Sequence, residues 1–201
     1  MGSSEQSPRK GSPWPAWPDV ATVAVHGFVT WRYSEPVALG PDHSLDTFEC
    51  RSSEQTAWLR RHARQASSAG TAKVFVVTAV SSPDVVAYYG WAMADIGPPD
   101  VPKRLRRGAG RYDQPVALLA RLGVDTRHEG KGLGAALLQD VILRTLALGG
   151  EIGCRGLLVH CESQEARSFY QHLVPEFEQS PTDALHLVLL MKDIVRTLGT
   201  T

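Results

Sequence analysis

The chain has 201 residues, of which 43% are hydrophobic and 21% are charged, and this composition is typical of an ordinary globular domain. Lys plus Arg and Asp plus Glu each number 21, so the formal net charge is zero and indicates no class of partner. The three cysteines, Cys50, Cys154 and Cys161, show no paired spacing, which argues against a disulfide framework and against a zinc site.

The N-terminal residues lack the apolar stretch of a signal peptide, and no apolar run approaches the roughly 20 residues of a membrane span. We therefore expect a cytoplasmic protein with no membrane contact and no bound metal. Residues 1–19 are rich in proline, glycine and serine, and such a segment cannot bury enough apolar surface to offset its ordering entropy. We predict a disordered leader over residues 1–19 and a single domain over residues 20–198.

The first half of that domain begins with an extended segment, a loop and a helix. Residues 20–33 are rich in β-branched and aromatic residues and are predicted to be extended, and Pro36, Gly40 and Pro41 predict a loop. Ser53 is predicted to cap a helix that runs to about Ser67. Residues 73–80 and 85–96 predict two strands of a hairpin. Residues 97–113 break the pattern and contain a cluster of basic side chains: Lys103, Arg104, Arg106, Arg107 and Arg111.

The second half alternates strands and helices. Residues 116–124 are almost wholly apolar, which predicts a strand covered on both faces. A glycine-rich turn at 127–134 follows, and then a helix over 133–148 that Gly149 and Gly150 are expected to end. A strand at 156–161, a helix capped by Ser163, and a last strand at 185–191 complete the order. This order predicts an α+β (mixed α/β) fold with one mixed sheet.

The glycine-rich turn after the buried strand carries the strongest functional signal. The first N–H groups of a helix lack internal partners and carry the positive end of the helix dipole. The glycines allow the phosphates of a ligand to approach the backbone closely, and Arg127 and Lys131 add positive charge. The turn is therefore predicted to bind an anion.

Three phosphate-binding motifs were compared with this turn. A Walker A loop requires Ser or Thr after the lysine, but Gly132 follows Lys131. The dinucleotide fingerprint G-x-G-x-x-G/A is formally present at Gly130, Gly132 and Ala135, yet too few strand–helix units follow it for a dinucleotide domain. The third motif is the acyl-coenzyme A loop of acetyltransferases.

The turn resembles the Q/R-x-x-G-x-G/A signature of the GNAT acetyltransferases, with Arg127, Gly130 and Gly132 at the signature positions. The resemblance implies a GNAT fold, with a central mixed sheet of six to seven strands flanked by helices, in which the strand before the loop splays away from the next strand. It implies acetyl-coenzyme A as co-substrate. The implied binding residues are Leu122, Gly123, Val124, Arg127, Glu129, Gly130, Lys131, Gly132, Leu133 and Gly134.

The same resemblance implies a catalytic tyrosine on the helix after the next strand, and Tyr170 lies there in a Phe-Tyr pair. A phenol is protonated at neutral pH, so Tyr170 is predicted to donate a proton to the coenzyme A sulfur, with a backbone N–H near Val124 polarising the acetyl carbonyl. The base stays open among a water chain, His160, His172 and Glu162. Cys161 is not assigned as a nucleophile.

Further segments resemble the GNAT toxins of bacterial toxin–antitoxin systems: Glu35-Pro36-Val37, His43-Ser44-Leu45, Phe48-Glu49-Cys50, Trp58-Leu59, Leu119-Ala120-Arg121-Leu122, Leu157-Leu158-Val159-His160 and Ser180-Pro181-Thr182-Asp183. This resemblance implies acetylation of the amino group of aminoacyl-tRNA, a ribbon-helix-helix antitoxin as partner, and a homodimer. The sequence departs from the pattern at Arg51, where glycine is usual, at Thr56-Ala57, and at 173–177, where Phe-Gly-Phe is usual.

The basic cluster at 103–111 favours contact with RNA, since clustered cations suit a phosphate backbone, although a solvated charged loop has the same composition. Two other functions remain open. The chain could acetylate a small amine or a protein amino group, or it could be a non-catalytic module that binds acetyl-coenzyme A or a partner protein.

Overall fold

The computed structural model describes residues 33–106 and 111–198. The predicted leader at 1–19, nearly all of the predicted extended segment at 20–33, and Arg107 lie outside these residues.

Within the described ranges, seven strands form one sheet in the order β1-β2-β3-β4-β5-β7-β6. Their bounds are β1 Val37–Ala38, β2 Lys73–Thr78, β3 Val85–Ile96, β4 Gln114–Val124, β5 Gly156–His160, β6 Glu178–Gln179 and β7 His186–Leu190. Neighbouring strands are antiparallel except β4 and β5, which are parallel. The predicted hairpin is formed by β2 and β3, and the prediction of a mixed sheet is confirmed.

Helices cover both faces of this sheet. Their bounds are α1 Ser53–Ser68, α2 Lys103–Arg106, α3 Leu133–Glu151, α4 Gln164–Leu173 and α5 Met191–Leu198. On one face, Leu59 of α1 packs with Tyr88 of β3, and Leu105 of α2 packs with Leu158 of β5. On the other face, buried residues of α3, α4 and α5 join the main core. We call these the α1/α2 face and the α3/α4 face.

The helix α3 passes beneath the middle of the sheet. Its stripe at Leu133, Leu137, Val141 and Ile142 is buried in the main core, as the 3.6-residue period requires. In the part of the chain that the structure describes, α3 alone is long and apolar enough to cross a membrane by length and composition. The estimate that no apolar run approaches that length was therefore wrong, although burial of the stripe is typical of a core helix.

Several predicted boundaries were wrong, for local reasons. Ser52, not Ser53, caps α1, since its side chain accepts a hydrogen bond from the Gln55 N–H. Gly149 and Gly150 do not end α3, which continues to Glu151. A Cβ at Gly149 would lie 2.5 Å from Met191 Cε, so this glycine lets α5 approach α3. The short elements β1, α2 and β6 and the helix α5 were not predicted as such.

Replacing Gly156 by alanine tests the packing of β5 against β7. An added Cβ would lie 2.3 Å from the carbonyl oxygen of Leu189, and the backbone of a central strand cannot easily move away. We expect Gly156→Ala to lower the free energy of unfolding by about 1–3 kcal/mol, measured by urea titration. Gly153→Ala is the matched control, because an added Cβ there meets nothing within 4 Å; equal stability of the two variants would contradict the prediction.

Candidate active site

The site begins where the parallel strands β4 and β5 separate. They pair at Ala117 with Leu157, at Leu118 with Leu158, and at Leu119 with Val159. Beyond these pairs β4 continues to Val124 while β5 ends at His160. The register of β3 against β4 shifts at the same place, since Gly90 lies opposite Arg121 and Trp91 opposite Leu119. Ala120 is thus the extra residue of a β-bulge, which bends β4 and opens a gap between the strands.

The edge of β4 that borders the gap carries backbone groups available to a ligand. The Asp125 N–H donates to the Val86 carbonyl on β3. Because successive residues of a strand point their N–H and C=O groups to opposite sides, those of Val124 and Leu122 point into the gap. An extended ligand with amide groups can pair with this edge as an added strand does. Gly123 is required here, because a Cβ would lie 2.8 Å from Tyr88 Cε1.

The glycine-rich turn lies at the far end of β4 and opens α3. Gly130 and Gly132 have φ angles of 71° and 80°, in the left-handed region that glycine adopts without a steric penalty. Gly132 is the N-cap of α3 and supplies no side-chain cap, so the first amide N–H groups of the helix are free for a ligand. The structure therefore places the predicted anion-binding amides at the mouth of the gap.

Arg127 does not extend into this turn as a free cation. Its Nε donates to Asp125 Oδ1 at 2.8 Å, and its Nη2 donates to Asp125 Oδ2 and to the Thr47 carbonyl, both at 2.8 Å. Asp125 is fully buried and also accepts from the Glu49 and Arg127 N–H groups. Burial raises the pKa of Asp125, but these hydrogen bonds outweigh it and hold the pKa below the usual value. Arg127 thus anchors the turn to the end of β4.

The other charged residues of the turn contact protein groups. Lys131 Nζ donates to the Arg127 carbonyl at 3.1 Å. Glu129 accepts two hydrogen bonds from Nε of Arg51 and one from its Nη2, and Arg51 is largely exposed. Arg51 therefore brings a guanidinium group beside the turn. This contact could not be predicted from the sequence, because the two residues lie far apart in the chain.

Tyr170 faces the opposite wall of the gap, from α4. Its ring is buried and makes edge-to-face contacts with Phe169 and Phe177. Desolvation by burial raises the pKa of Tyr170, and the nearby Cys161 and Glu162 raise it further, so the phenol is protonated at neutral pH. Among the described residues its hydroxyl has no hydrogen-bond partner. Tyr170 borders a small cleft of about 40 Å³, whose other walls include Gln55, Leu119, Arg121, His160, Glu162 and Ala166.

A second cavity, which we call the polar pocket, adjoins this cleft on the α1/α2 face. Its volume is about 120 Å³, and it is lined by Asp95, Ile96, Asp100, Leu158, His160, Ser180, His186 and Val188. His160 borders both cavities. The other candidate bases differ, since His172 lines neither cavity and Glu162 accepts a hydrogen bond from Ser52.

Two arginines of the basic cluster bind protein groups, and two further cations of the cluster are exposed. Arg104 binds Glu178 and the buried Asp193, and Arg106 donates to the carbonyls of Val101 and Pro99. Lys103 and Arg111 are exposed. The same loop supplies Asp100 to the polar pocket, so the cluster lies in the segment that borders this pocket.

Comparisons with known proteins agree with this geometry. The acetyltransferase (GNAT) family model matches residues 41–173. The chain is 38% identical over 167 residues to a tRNA-acetylating toxin of Mycobacterium tuberculosis, which covers 83% of this chain and 98% of the relative. A structure of AtaT complexed with acetyl-methionyl-tRNA has a TM-score of 0.75 at 20% identity, covering 84% of this chain and 99% of AtaT. An AtaT tyrosine-to-phenylalanine variant bound to acetyl-coenzyme A and the C-terminus of the antitoxin AtaR has a TM-score of 0.69 at 19% identity, covering 84% and 99%.

Asp125→Asn tests the anchor of the turn. The variant keeps the shape of the side chain but loses its charge and one of its acceptor atoms, so we expect a loss of about 1–3 kcal/mol in the free energy of unfolding at pH 7. Because the folded state lowers the pKa of Asp125, its stabilisation is present above the unfolded pKa of about 3.9 and disappears as pH falls through the folded value. The deficit of the variant should therefore shrink in urea titrations below about pH 4. A deficit that is constant with pH would contradict this account.

Proposed function

Because the chain belongs to the acetyltransferase (GNAT) family, we propose that it transfers the acetyl group of acetyl-coenzyme A to the amino group of an aminoacyl-tRNA. The observation that carries this proposal is the gap between β4 and β5, which has the predicted anion-binding turn at one end and the cleft of Tyr170 beside it. The likeness to a tRNA-acetylating toxin over 98% of that relative's length supports aminoacyl-tRNA as the acceptor.

The donor is assigned to the turn and the free edge of β4. The amides at Gly130, Gly132, Leu133 and Gly134 would hold the pyrophosphate of acetyl-coenzyme A, since backbone N–H groups at a helix N-terminus suit phosphates. Leu122 and Val124 would pair with the amides of the pantetheine arm. Gly123 keeps the strand close to Tyr88, while Arg127, Glu129 and Lys131 hold the turn in shape through their contacts with protein groups.

The chemistry follows from the groups that line the gap. The bound thioester supplies the acetyl group and a thiolate leaving group. The Leu122 N–H points into the gap at the cleft of Tyr170 and would polarise the acetyl carbonyl as negative charge develops on its oxygen. This leaves the Leu122 carbonyl and the Val124 backbone for the pantetheine arm. Tyr170 is protonated and makes no hydrogen bond with a described residue, so its hydroxyl is available to donate a proton to the departing sulfur.

We further propose that the enzyme acts in the cytoplasm as a homodimer and is held inactive by an antitoxin of the ribbon-helix-helix type. The support is the resemblance to GNAT toxins, together with the solved complex of AtaT with the C-terminus of the antitoxin AtaR. The exposed cations Lys103 and Arg111 would contact the RNA backbone near the polar pocket.

Tyr170→Phe tests the function and the assigned acid together. The measurement is transfer of radiolabelled acetyl from acetyl-coenzyme A to bulk aminoacyl-tRNA, with acetyl-coenzyme A binding followed by calorimetry. We expect wild type to label the tRNA and the variant to lose about 10²–10⁴-fold in kcat while binding acetyl-coenzyme A normally, because only the hydroxyl is removed.

The outcome separates the alternatives. If wild type binds acetyl-coenzyme A but labels small amines or proteins instead of tRNA, the acceptor proposed here is wrong. If wild type labels tRNA and Tyr170→Phe labels it equally fast, the acceptor is right and the role of Tyr170 is wrong.

Lys103→Ala combined with Arg111→Ala tests the RNA contact. Removing two phosphate contacts should raise the KM for aminoacyl-tRNA and reduce the slope of log KM against log salt by about two. Binding of acetyl-coenzyme A should not change. Lys73→Ala is the control, since Lys73 is exposed on β2, away from the gap. An unchanged KM and salt slope in the double variant would exclude these two side chains from the RNA interface.

A further inference from the structure

We propose that His160 accepts the proton of the acceptor's amino group, and that His186 and Asp183 position its ring for this task. This inference rests on the proposed function, because it concerns the amine that attacks the acetyl group. It identifies the base that sequence reasoning left open among three side chains and a water chain.

The His160 side chain points to the face of the sheet that carries the polar pocket. Side chains alternate along β5, and Leu158 belongs to the cluster on the α1/α2 face while Leu157 and Val159 belong to the main core on the α3/α4 face. His160 therefore points to the α1/α2 face. It is the last residue of β5, immediately beyond the point where pairing with β4 stops. The imidazole thus lines both the cleft of Tyr170 and the polar pocket.

The imidazole ring of His160 is held in place by its neighbours on β7 and in the loop before it. His160 lies opposite His186 in the β5–β7 register, and the two rings stack with centroids 4.0 Å apart and an interplanar angle of 16°. Nε2 of His186 lies 3.4 Å from Oδ2 of Asp183. Asp183 is itself fixed, since its Oδ1 accepts from the Leu185 N–H at 2.8 Å. A carboxylate and a second imidazole thus orient His160 without occupying the cleft.

The groups around the imidazole ring of His160 determine its protonation state. Desolvation lowers the pKa of His160, His186 lowers it further, and Asp183 opposes them in part. The other titratable groups that face the ring come from several elements: Asp95 at the end of β3, Asp100 in the loop after it, Arg121 on β4, Glu162 after β5, and Tyr170 on α4. With its pKa below the ordinary value near 6.5, the imidazole is neutral at pH 7 and able to accept a proton.

The competing bases are less suitable. His172 lies at the end of α4 and lines neither cavity, whereas His160, which is also exposed, lines both. Glu162 borders the cleft, but its carboxylate accepts the hydroxyl of Ser52, which itself caps α1. Burial raises the pKa of the Cys161 thiol to about 11, so this group is protonated at neutral pH and is not a base.

Every proton that moves during the acetyl transfer has a donor and an acceptor. An α-amino group has an ordinary pKa of about 7.7–8.0, so much of the acceptor is ammonium at pH 7. His160 takes one N–H proton from this ammonium and leaves the lone pair that attacks the acetyl carbon. The carbon–sulfur bond then breaks, Tyr170 gives its proton to the sulfur, and the second proton lost by the new amide nitrogen restores the phenol.

The test compares His160→Gln with His172→Gln in the acetyl transfer assay on aminoacyl-tRNA, from about pH 6 to 8.5, a range that spans the ordinary pKa values of imidazole and of the α-amino group. Glutamine keeps polarity and approximate size but cannot take up a proton. We expect His160→Gln to lose about 10²–10⁴-fold in kcat at pH 7, with a deficit that shrinks at pH 8.5 because the acceptor is then largely neutral. Acetyl-coenzyme A binding, the KM for tRNA and the activity of His172→Gln should remain at wild-type values.

A second variant tests whether His160 accepts a proton or only fills space in the wall of the polar pocket. His160→Ala leaves room in the polar pocket, so added imidazole should restore part of its kcat, whereas added imidazole should leave His160→Gln unchanged. Wild-type activity in His160→Gln at pH 7 would overturn the inference. So would a deficit that does not change with pH and that imidazole does not relieve in His160→Ala. Absence of label on tRNA with wild type would instead overturn the proposed function itself.

Discussion

Parallel pairing between β4 and β5 ends after Leu119 and Val159, and the site depends on the gap that this creates. Two features keep the strands apart. The bulge at Ala120 bends β4 away from its parallel neighbour, and the Asp125 N–H holds the end of β4 against β3 through the Val86 carbonyl. The gap lies next to the glycine-rich turn, and His160 at the end of β5 lines both the cleft of Tyr170 and the polar pocket.

The segment at 47–52, just before α1, contacts both sides of this gap and holds them in place. Its contacts with the turn are made at Thr47, Glu49 and Arg51, and its contact with the start of α4 is made at Ser52. These contacts differ in strength. The bonds to Asp125 are shielded from water and are charge-assisted, whereas the exposed pair of Arg51 with Glu129 contributes little to stability. The buried carboxylate therefore fixes the turn, and the exposed pair is free to rearrange when an anionic ligand arrives.

Long, strongly patterned segments could be predicted from the sequence, and so could the turn. The apolar run of β4, the stripe of α3 and the positions of Gly130 and Gly132 each follow from local rules on periodicity and on φ angles. Ser163 was correctly predicted to cap α4, but the cap of α1, the end of α3, the two-residue strands and α5 were missed because they depend on tertiary contacts, as the packing of Met191 on Gly149 shows. Sequence reasoning placed Arg127 beside the ligand because of its charge, but it could not show that Asp125 engages the guanidinium. The polar pocket was invisible for the same reason, since its residues come from four separate stretches of chain.

The departures from the GNAT toxin pattern fit the structure without loss of the site. Arg51 replaces a glycine, yet it reaches Glu129 on the surface of the turn and leaves the gap open. The altered segment after α4 places Phe177 edge-to-face with Tyr170, which keeps the phenol in an apolar surrounding and thereby protonated. On the other side of the gap, desolvation and a second imidazole keep His160 neutral. The two groups thus take opposite tasks at one pH, with a proton to donate at the sulfur and an empty site for a proton at the amine, and their surroundings reinforce the ordinary difference between the pKa values of a phenol and an imidazole.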